Sequence, residues 1–514
     1  MNRSKEIKVG AVLSYIQIAA QMVINFLFTP LMLRILGQSE YGLYSTATST
    51  ISTLSILSLG FGSSYIKKFA EYKNKGDDKA TASLNGLYII IFTIIGMAAF
   101  FCGIFLTLNI DYIYGTGLST EELSKAKILM GLLTFNLAIN FPLSVFNSII
   151  GANEKFVFQK LVYMIKTVLS PLVMIPVLLL GYSSVGMVLT TVSMALIADA
   201  INIYYCFAKL HVKFKFYGWE KGLLGQLFGY TAFIAINIVI DQINWNIDKV
   251  IIGRYRGTSS VAVYSVGHTI HSCYMSMAQN ISNLFTPKVH SIASKYNRKI
   301  DRCAEEFTDL FIKVGRVQFI ILSLICSGFV FYGRKFIQIW AGTGYENAYY
   351  VCLLLMIPSI VPFIQTMGIE IQRSLNKHQF RSIFYLGMAL CNLVVSIFFC
   401  QWWGEVGSAL GTCLALIIAD GFAMNIYYYK ALRIDVVAFW KQILRMCKGL
   451  IIPAIFGVMS MTLFKTDVIV IFAAEITIYT FIYVISMYII SMNKLEKTNV
   501  NIAIEKVIGR LKIK

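Results

Sequence analysis

Charge of either sign is scarce in this chain: Asp, Glu, Lys and Arg together make up 14% of its 514 residues, against about 25% in an average soluble domain. With hydrophobic residues at 57% and a mean hydropathy of +0.68, the chain has too little polar surface to stay dispersed in water. Proline is rare, eight in all, so long helices are seldom interrupted. The ten cysteines stand singly, with no Cys-x-x-Cys pair and no histidine cluster at metal-ligand spacing. A zinc site and a disulfide framework are therefore not expected, and the thiols read as small packing residues. The sequence has no Gly-x-x-x-x-Gly-Lys-Ser/Thr loop and so no phosphate cradle for ATP hydrolysis by that route. The longest outer connection, about residues 109–127 with Asp111, Glu121 and Glu122, is too short for a soluble catalytic domain. Neither an enzyme nor a bound cofactor is expected.

What the chain has in quantity is apolar length. Windows of about 20 apolar residues, enough to cross a bilayer core, predict fourteen spans. They lie near 10–33, 41–66, 84–108, 128–151, 158–180, 185–208, 223–248, 259–286, 308–332, 347–372, 380–400, 405–429, 443–464 and 467–492. An even number places both termini on one side, and most of the 45 lysines and arginines fall on that side, which the positive-inside rule makes cytoplasmic. Its clusters include Lys67, Lys68, Lys73, Lys75 and Lys79, then Lys288, Lys295, Arg298, Lys299 and Arg302. The net charge of +19 therefore points to anionic lipid headgroups in a cytoplasmic membrane rather than to nucleic acid. Arg3, Lys5 and Lys8 precede a long first span without a small-residue cleavage site, as expected for an uncleaved first helix.

The chain also repeats itself at an offset of about 220 residues. Ile197-Ala198-Asp199, followed by Asn202-Ile203-Tyr204-Tyr205, returns as Ile418-Ala419-Asp420, followed by Asn425-Ile426-Tyr427-Tyr428. Val185-Gly186 returns as Val406-Gly407, Pro142 as Pro362, and Arg34, Gly37, Tyr44 and Ser45 as Arg254, Gly257, Tyr264 and Ser265. Matches in one order over six spans each imply a duplication. The expected fold is an all-α integral membrane protein with two six-helix lobes around a central cavity. The lobes are 1–208 and 223–430, joined by a basic, aromatic cytoplasmic linker over 209–222. Two extra spans follow over 431–492, and an amphipathic basic tail over 493–514.

Polar groups in hydrocarbon are costly, so a row of them on one helical face marks a wet cavity or a protein partner. The first span carries Ser14, Gln17, Gln21 and Asn25; its repeat mate carries Asn237, Asp241, Asn244, Trp245 and Asp248, then Lys249, Arg254 and Arg256. The eighth span has His268 and His271, and the fourth has Asn136, Asn140, Ser144 and Asn147. Amides and Trp245 suit sugars, whereas Arg34, Lys249, Arg254 and Arg256 suit phosphate. Interhelical hydrogen bonding alone is the competing reading of these stripes. Asp241 and Asp248 lack counterparts in the first repeat and are the candidates for coupling transport to Na⁺ or H⁺. Asp199 and Asp420, retained by the duplication, and Glu370 with Arg373 near the end of the tenth span, are structural or gating candidates.

The duplicated lobes with two added spans, the basic entry into a polar first helix, Asp248-Lys249 followed by Gly253 and Gly257, and Val406-Gly407 opening the twelfth span resemble the Wzx-type oligosaccharide flippases. These belong to the multidrug/oligosaccharidyl-lipid/polysaccharide exporter superfamily. The resemblance implies alternating access through a cationic cavity, moving a polyprenyl-diphosphate-linked oligosaccharide to the outer leaflet for cell-surface polysaccharide synthesis. A polysaccharide polymerase is the implied protein partner. The alternatives are a cation-coupled multidrug exporter, which should be richer in acidic groups, a flippase for the peptidoglycan lipid precursor, and a membrane scaffold for glycan assembly.

Overall fold

The computed structural model describes residues 3–220, 222–463 and 469–511. Lys221, residues 464–468 at the junction of the last two predicted spans, and the tail residues 512–514 lie outside them. The described residues are helical with no strand. In order the helices are α1 Arg3–Leu36, α2 Gln38–Thr53, α3 Phe61–Asn74, α4 Asp78–Leu108, α5 Ile110–Tyr114, α6 Thr120–Ala152, α7 Phe156–Leu179 and α8 Ser183–Ala208. Then come α9 Leu223–Trp245, α10 Ile247–Arg256, α11 Thr258–Asn283, α12 Thr286–Lys295, α13 Ile300–Trp340, α14 Ala348–Ile364 and α15 Thr366–Ser374. The last are α16 Gln379–Leu416, α17 Met424–Leu432, α18 Val436–Met446, α19 Ile451–Leu463, α20 Ile469–Ser486 and α21 Lys494–Leu511.

Nine helices among the described residues are long and apolar enough to cross a membrane, or ten if the pair α14 and α15, bent by 44°, forms one span. The expected fourteen differ from this count for local reasons. The second predicted span is broken: α2 ends at Thr53, a 3-10 turn covers Leu54–Ser58, and Leu59 and Gly60 take positive φ before α3 begins. The seventh is interrupted at Asn246, between α9 and α10. Conversely, 379–432 counts once although it runs 54 residues, about 80 Å if straight and far beyond the ~30 Å of a bilayer core. It folds back at Gly404, whose φ of 61° is open to glycine, so that Asn392 Nδ2 reaches Thr412 Oγ1 at 3.3 Å.

Helix ends follow the side chains available to them. Ser119 and Glu122 form a reciprocal capping box at the start of α6, Asp77 caps α4, and Asp435 caps α18. Gly37 and Gly257, matched by the repeat, hold the same backbone (φ 77°, ψ 173° and φ 83°, ψ −178°) ahead of α2 and α11, a region essentially reserved to glycine. Between Asp420 and Asn425 the second repeat has two more residues than the first has between Asp199 and Asn202. A π-helical segment, Ile417–Ala423, takes them up.

The chain divides into two compact units. The first comprises Met1–Thr269, Trp340–Val351 and Gln379–Ala415; the second comprises Ile270–Ile339, Cys352–His378 and Leu416–Lys514. Both are discontinuous in sequence, so compactness and repeat divide the chain differently. In the first unit, Phe61, Tyr65, Tyr88, Phe92 and Phe146 form one core, and Leu43, Tyr114, Leu129, Met130 and Val188 another. The tyrosine hydroxyls inside are answered: Tyr65 donates to Asn85, Tyr88 meets Ser64 and Tyr114 meets Thr50. Outward-facing positions are apolar instead of polar, with Phe101 70%, Leu179 70% and Phe105 65% exposed, the inverse of a water-facing surface. The linker over 209–220 is not helical; it lies along α4, where Lys215 N donates to Ala82 O, Asn85 to Lys213 O and Ser83 to Tyr217 O.

In the second unit, α21 is tied down by one ion pair. Arg316 on α13 donates twice to the Glu496 carboxylate at 2.7 Å, and also to Gln442 and to Ser491 O. Its side chain is 7% exposed and that of Glu496 11%. Removing one member of such a pair costs about 3–5 kcal/mol. Arg316→Ala should therefore release the tail: trypsin should cut within 494–511 at least ten times faster than in the parent protein, and Arg316→Lys should restore little of the bidentate protection. Unchanged cleavage would mean that the pair does not hold the tail.

Candidate functional site

Four apolar helices of the first unit, α1, α6, α7 and α8, enclose a polar cavity of about 450 Å³. Each contributes by helical spacing. From α6, Asn140, Ser144 and Asn147 share one face; α7 supplies Gln159, Lys160, Tyr163 and Lys166; α8 supplies Asp199 and Asn202; α1 supplies Gln17. Two lysines and one carboxylate share the lining. Some of the polar groups hold one another in place: Gln159 Nε2 donates to Asn147 Oδ1 at 2.8 Å, and Ser144 Oγ to Phe141 O at 2.6 Å. Two oxygens are not answered. Gln17 Oε1 and Asn202 Oδ1 are buried without a hydrogen-bond partner in the protein, and Asn202 as a whole is only 7% exposed.

The cavity unites Gln17 and Asp199 with lysines that the sequence reading did not assign to a site. Lys166 is a base within the span over 158–180, and Asn140, Ser144 and Asn147 form the stripe noted above. That α7 closes on α6 and α8 was not visible. Further along the first-span stripe, Gln21 Nε2 donates to Asn25 Oδ1 at 2.8 Å. Arg34 is exposed in the last turn of α1.

Most of the other candidates serve as ties between helices. Arg254 Nη1 donates to Tyr112 O at 2.8 Å and Ile113 O at 2.9 Å, with its guanidinium over the Tyr112 ring. Arg256 donates to Cys400 O and Gln401 O at the corner of the 379–432 hairpin. Neither lines the cavity. Asn237 Nδ2 donates to Ser382 Oγ, joining α9 to α16. Trp245 and Tyr264 flank the His268 ring at 5.9 and 6.2 Å. Asn244 and Lys249 are half-buried and Asp241 is exposed.

Asp248 is fully buried, and its carboxylate accepts from Tyr264 at 2.7 Å and from Ser408 and Thr412 at 2.9 Å each. It thus draws α10, α11 and the second arm of the hairpin together. In the second unit, His271 is buried and contacts Ser359 Oγ at 2.9 Å and the Phe363 ring. Asp420 sits in the π-helical segment, its carbonyl accepting from Asn425. Glu370 and Arg373 pair at 2.7 Å one turn apart on α15. No group of three or more His, Cys, Asp or Glu capable of holding a metal ion occurs among the described residues.

A second polar set joins the helix ends expected to face outward. Glu122 accepts at 2.6 Å from both Ser39 and Thr258, which bracket the two repeat-related turns. Deeper along the same helices, Ser45 Oγ meets Ser265 Oγ at 2.6 Å. Residues equivalent by duplication therefore touch each other. Glu40 accepts from Ser183 and Ser184 and pairs with Lys125 at 3.5 Å. Burial alone would raise its carboxyl, but the bonds from Ser184 and Ser183, with Lys125, outweigh this and hold it below its ordinary value.

A model described as polysaccharide biosynthesis protein matches residues 8–286. No curated protein matches the chain in sequence. Among solved structures, the lipid II flippase MurJ in an inward closed conformation aligns with a TM-score of 0.69 at 16% identity, covering 94% of this chain and 98% of that one. An inward-facing multidrug resistance MATE family transporter of the MOP superfamily aligns with a TM-score of 0.60 at 14% identity, covering 81% and 99%. An outward-facing MATE transporter gives 0.58 at 14%, covering 86% and 97%. At these identities the likeness is one of fold: the chain has the MurJ and MATE transporter fold.

The Asp248 cluster makes its own prediction. Asp248→Ala leaves three buried hydroxyls without their acceptor, each loss costing about 1–3 kcal/mol. Its detergent-solubilised melting temperature should fall by several degrees, and by less for Asp248→Asn, which keeps one acceptor oxygen. Equal melting of all three proteins would contradict a tying role.

Proposed function

Because this chain belongs to the polysaccharide biosynthesis protein family, we propose that it moves a polyprenyl-diphosphate-linked oligosaccharide from the cytoplasmic to the outer leaflet of the cytoplasmic membrane by alternating access. Both termini would be cytoplasmic, a reading the distribution of basic residues supports. The observation that carries this reading is the polar cavity walled by apolar helices, in which Lys160 and Lys166 outnumber Asp199. A diphosphate needs ammonium donors in a low-dielectric setting, and sugars need amides, hydroxyls and an aromatic face. The cavity supplies all of these, whereas an organic cation would meet a surplus of its own charge. Lipid and prenyl chain would stay outside the helices while the head passes.

Export of an anion down an inside-negative potential is favourable by about 2.3 kcal/mol per charge per 100 mV, so potential alone can bias the direction. Coupling to Na⁺ or H⁺ would fall to Asp248 or Asp241. A polysaccharide polymerase would take the exported unit. One second reading has a specific support: likeness of fold to a lipid II flippase favours the peptidoglycan precursor, a lipid with the same diphosphate linkage, as an alternative cargo.

The contact between Ser45 and Ser265 supports an alternation in which the outward-facing ends of the two repeats part. Purified protein in liposomes should carry a fluorescent polyprenyl-diphosphate oligosaccharide outward and leave an organic cation behind. Ser45→Cys with Ser265→Cys, with the exposed Cys102 and Cys391 replaced by serine, should cross-link on oxidation and lose at least nine-tenths of that transport. Reduction should restore it. Transport of the cation alone, or full transport by the cross-linked protein, would contradict the reading.

A further inference from the structure

We infer that two outer connections of this chain, residues 109–119 between α4 and α6 and residues 341–347 between α13 and α14, are reciprocal straps that hold the outward-facing end closed, each fastened to the opposite repeat. This rests on the alternation proposed above and deepens it, naming the segments that must let go before the outward-facing ends part.

The first strap contains α5 and lies on the turn between α10 and α11. Thr116 Oγ1 donates to Arg254 O at 2.7 Å, and Arg254 Nη1 donates back to Tyr112 O and Ile113 O. At Gly117 the two backbones touch: a Cβ there would overlap Gly253 O and Arg254 O. Gly117 does not have a positive φ, so this crossing, and not its own conformation, is what calls for glycine. Where the strap enters α6, the Glu122 carboxylate holds Thr258 and Ser39 at 2.6 Å each. The second strap leaves the end of α13, where Trp340 Nε1 donates to Phe26 O at 2.8 Å. Gln38 Nε2 then donates to Gly344 O at 2.8 Å.

The exchange follows the duplication. Each strap joins the third and fourth predicted spans of its repeat, and Gln38 and Thr258 occupy the same position of the two repeat-related turns at the offset of 220. Each donates across to the other repeat, Thr258 to the carboxylate at the foot of the first strap and Gln38 to a carbonyl of the second. A connection that only closed its own repeat would have no cause to reach the other. The fastenings differ in strength. The first uses a carboxylate and a guanidinium, and charge-assisted bonds are roughly twice as strong as neutral ones; the second sets an amide and an indole on carbonyls. The first strap therefore governs opening. Ser45 and Ser265, 7% and 2% exposed, lie deeper along α2 and α11 and report on the space that the straps close.

The test is opening, measured apart from transport. The full-length protein carries Ser265→Cys, with the exposed Cys102 and Cys391 replaced by serine, and is reacted in nanodiscs with a water-soluble maleimide. Peptide mapping gives the labelling rate at position 265 and at Cys206, a native thiol buried in the first-repeat core. Loss of contacts made only in the closed state shifts the population toward the open one. Gly117→Ala should therefore speed labelling at 265 by about tenfold or more, and Thr258→Val, which leaves the Ser119 and Glu122 capping box whole, by about threefold or more. Gln38→Ala should have a smaller effect than either. Cys206 should label no faster in any variant, because a strap that lets go leaves the core intact. Should Gly117→Ala loosen the fold and expose Cys206, Thr258→Val decides. Unchanged labelling at 265 in the folded variants, or a larger effect from Gln38→Ala than from the first-strap variants, would overturn the proposal. Faster labelling in a protein that moves no lipid-linked oligosaccharide would keep the straps and lose the flippase reading. Oligosaccharide transport with unchanged labelling would lose only the straps.

Discussion

Every polar side chain within about 30 Å of hydrocarbon must be answered by the protein or face an aqueous cavity, and the arrangement of this molecule follows from that demand. Asp248 is met by three hydroxyls from two other helices. The Arg256 guanidinium is met by the carbonyls at a hairpin corner, and the Tyr65, Tyr88 and Tyr114 hydroxyls by asparagine, serine and threonine. Each such tie also fixes a helix-to-helix contact, which hydrophobic burial does not drive in lipid as it does in water. Gln17 and Asn202, each with a buried oxygen that has no partner in the protein, lie with two lysines along one cavity.

The duplication supplies the frame, and the repeats depart from it at particular residues. Gly37 and Gly257 make the same turn, and Ser45 meets its own counterpart Ser265, so the two repeats come together through equivalent residues. Where the repeats diverge, the structure diverges with them. Two extra residues after Asp420 become a π-helical segment, and the lysine and amides of α6 and α7 give way to Ile360, Ile364, Met367 and Leu386. The acidic asymmetry runs the other way, with buried Asp248 replaced by Phe28 at the same offset. One repeat thus carries cationic groups and amides, and the other a buried carboxylate among hydroxyls.

Much of the fold was legible because apolar length and period report directly on helices that must lie in lipid, and because an ordered repeat reports on ancestry. The breaks were not. Leu54–Ser58 reads as apolar as its flanks, and only the positive φ at Leu59 and Gly60 shows the turn. Arg254 and Arg256 looked like phosphate ligands since they follow a polar helix. Yet a long side chain in the last turn of a helix can reach carbonyls of a neighbouring segment, and nothing in sequence says which carbonyls are near. Lys160 and Lys166 had the opposite fate: single bases in an apolar helix, they gained meaning when α1, α6 and α8 closed around them. Periodicity gives the face of a helix, and tertiary contact decides what that face meets.

The most direct measurement of the central claim, that the charged head of the cargo passes through the cavity of the first repeat, is photo-cross-linking with a polyprenyl-diphosphate sugar bearing a diazirine on its first sugar. Peptide mapping after irradiation should find the label on residues 140–147, 159–166 and 199–202, and an excess of unlabelled lipid should suppress it. Label confined to other helices, with these three segments clean under conditions of active transport, would contradict the account.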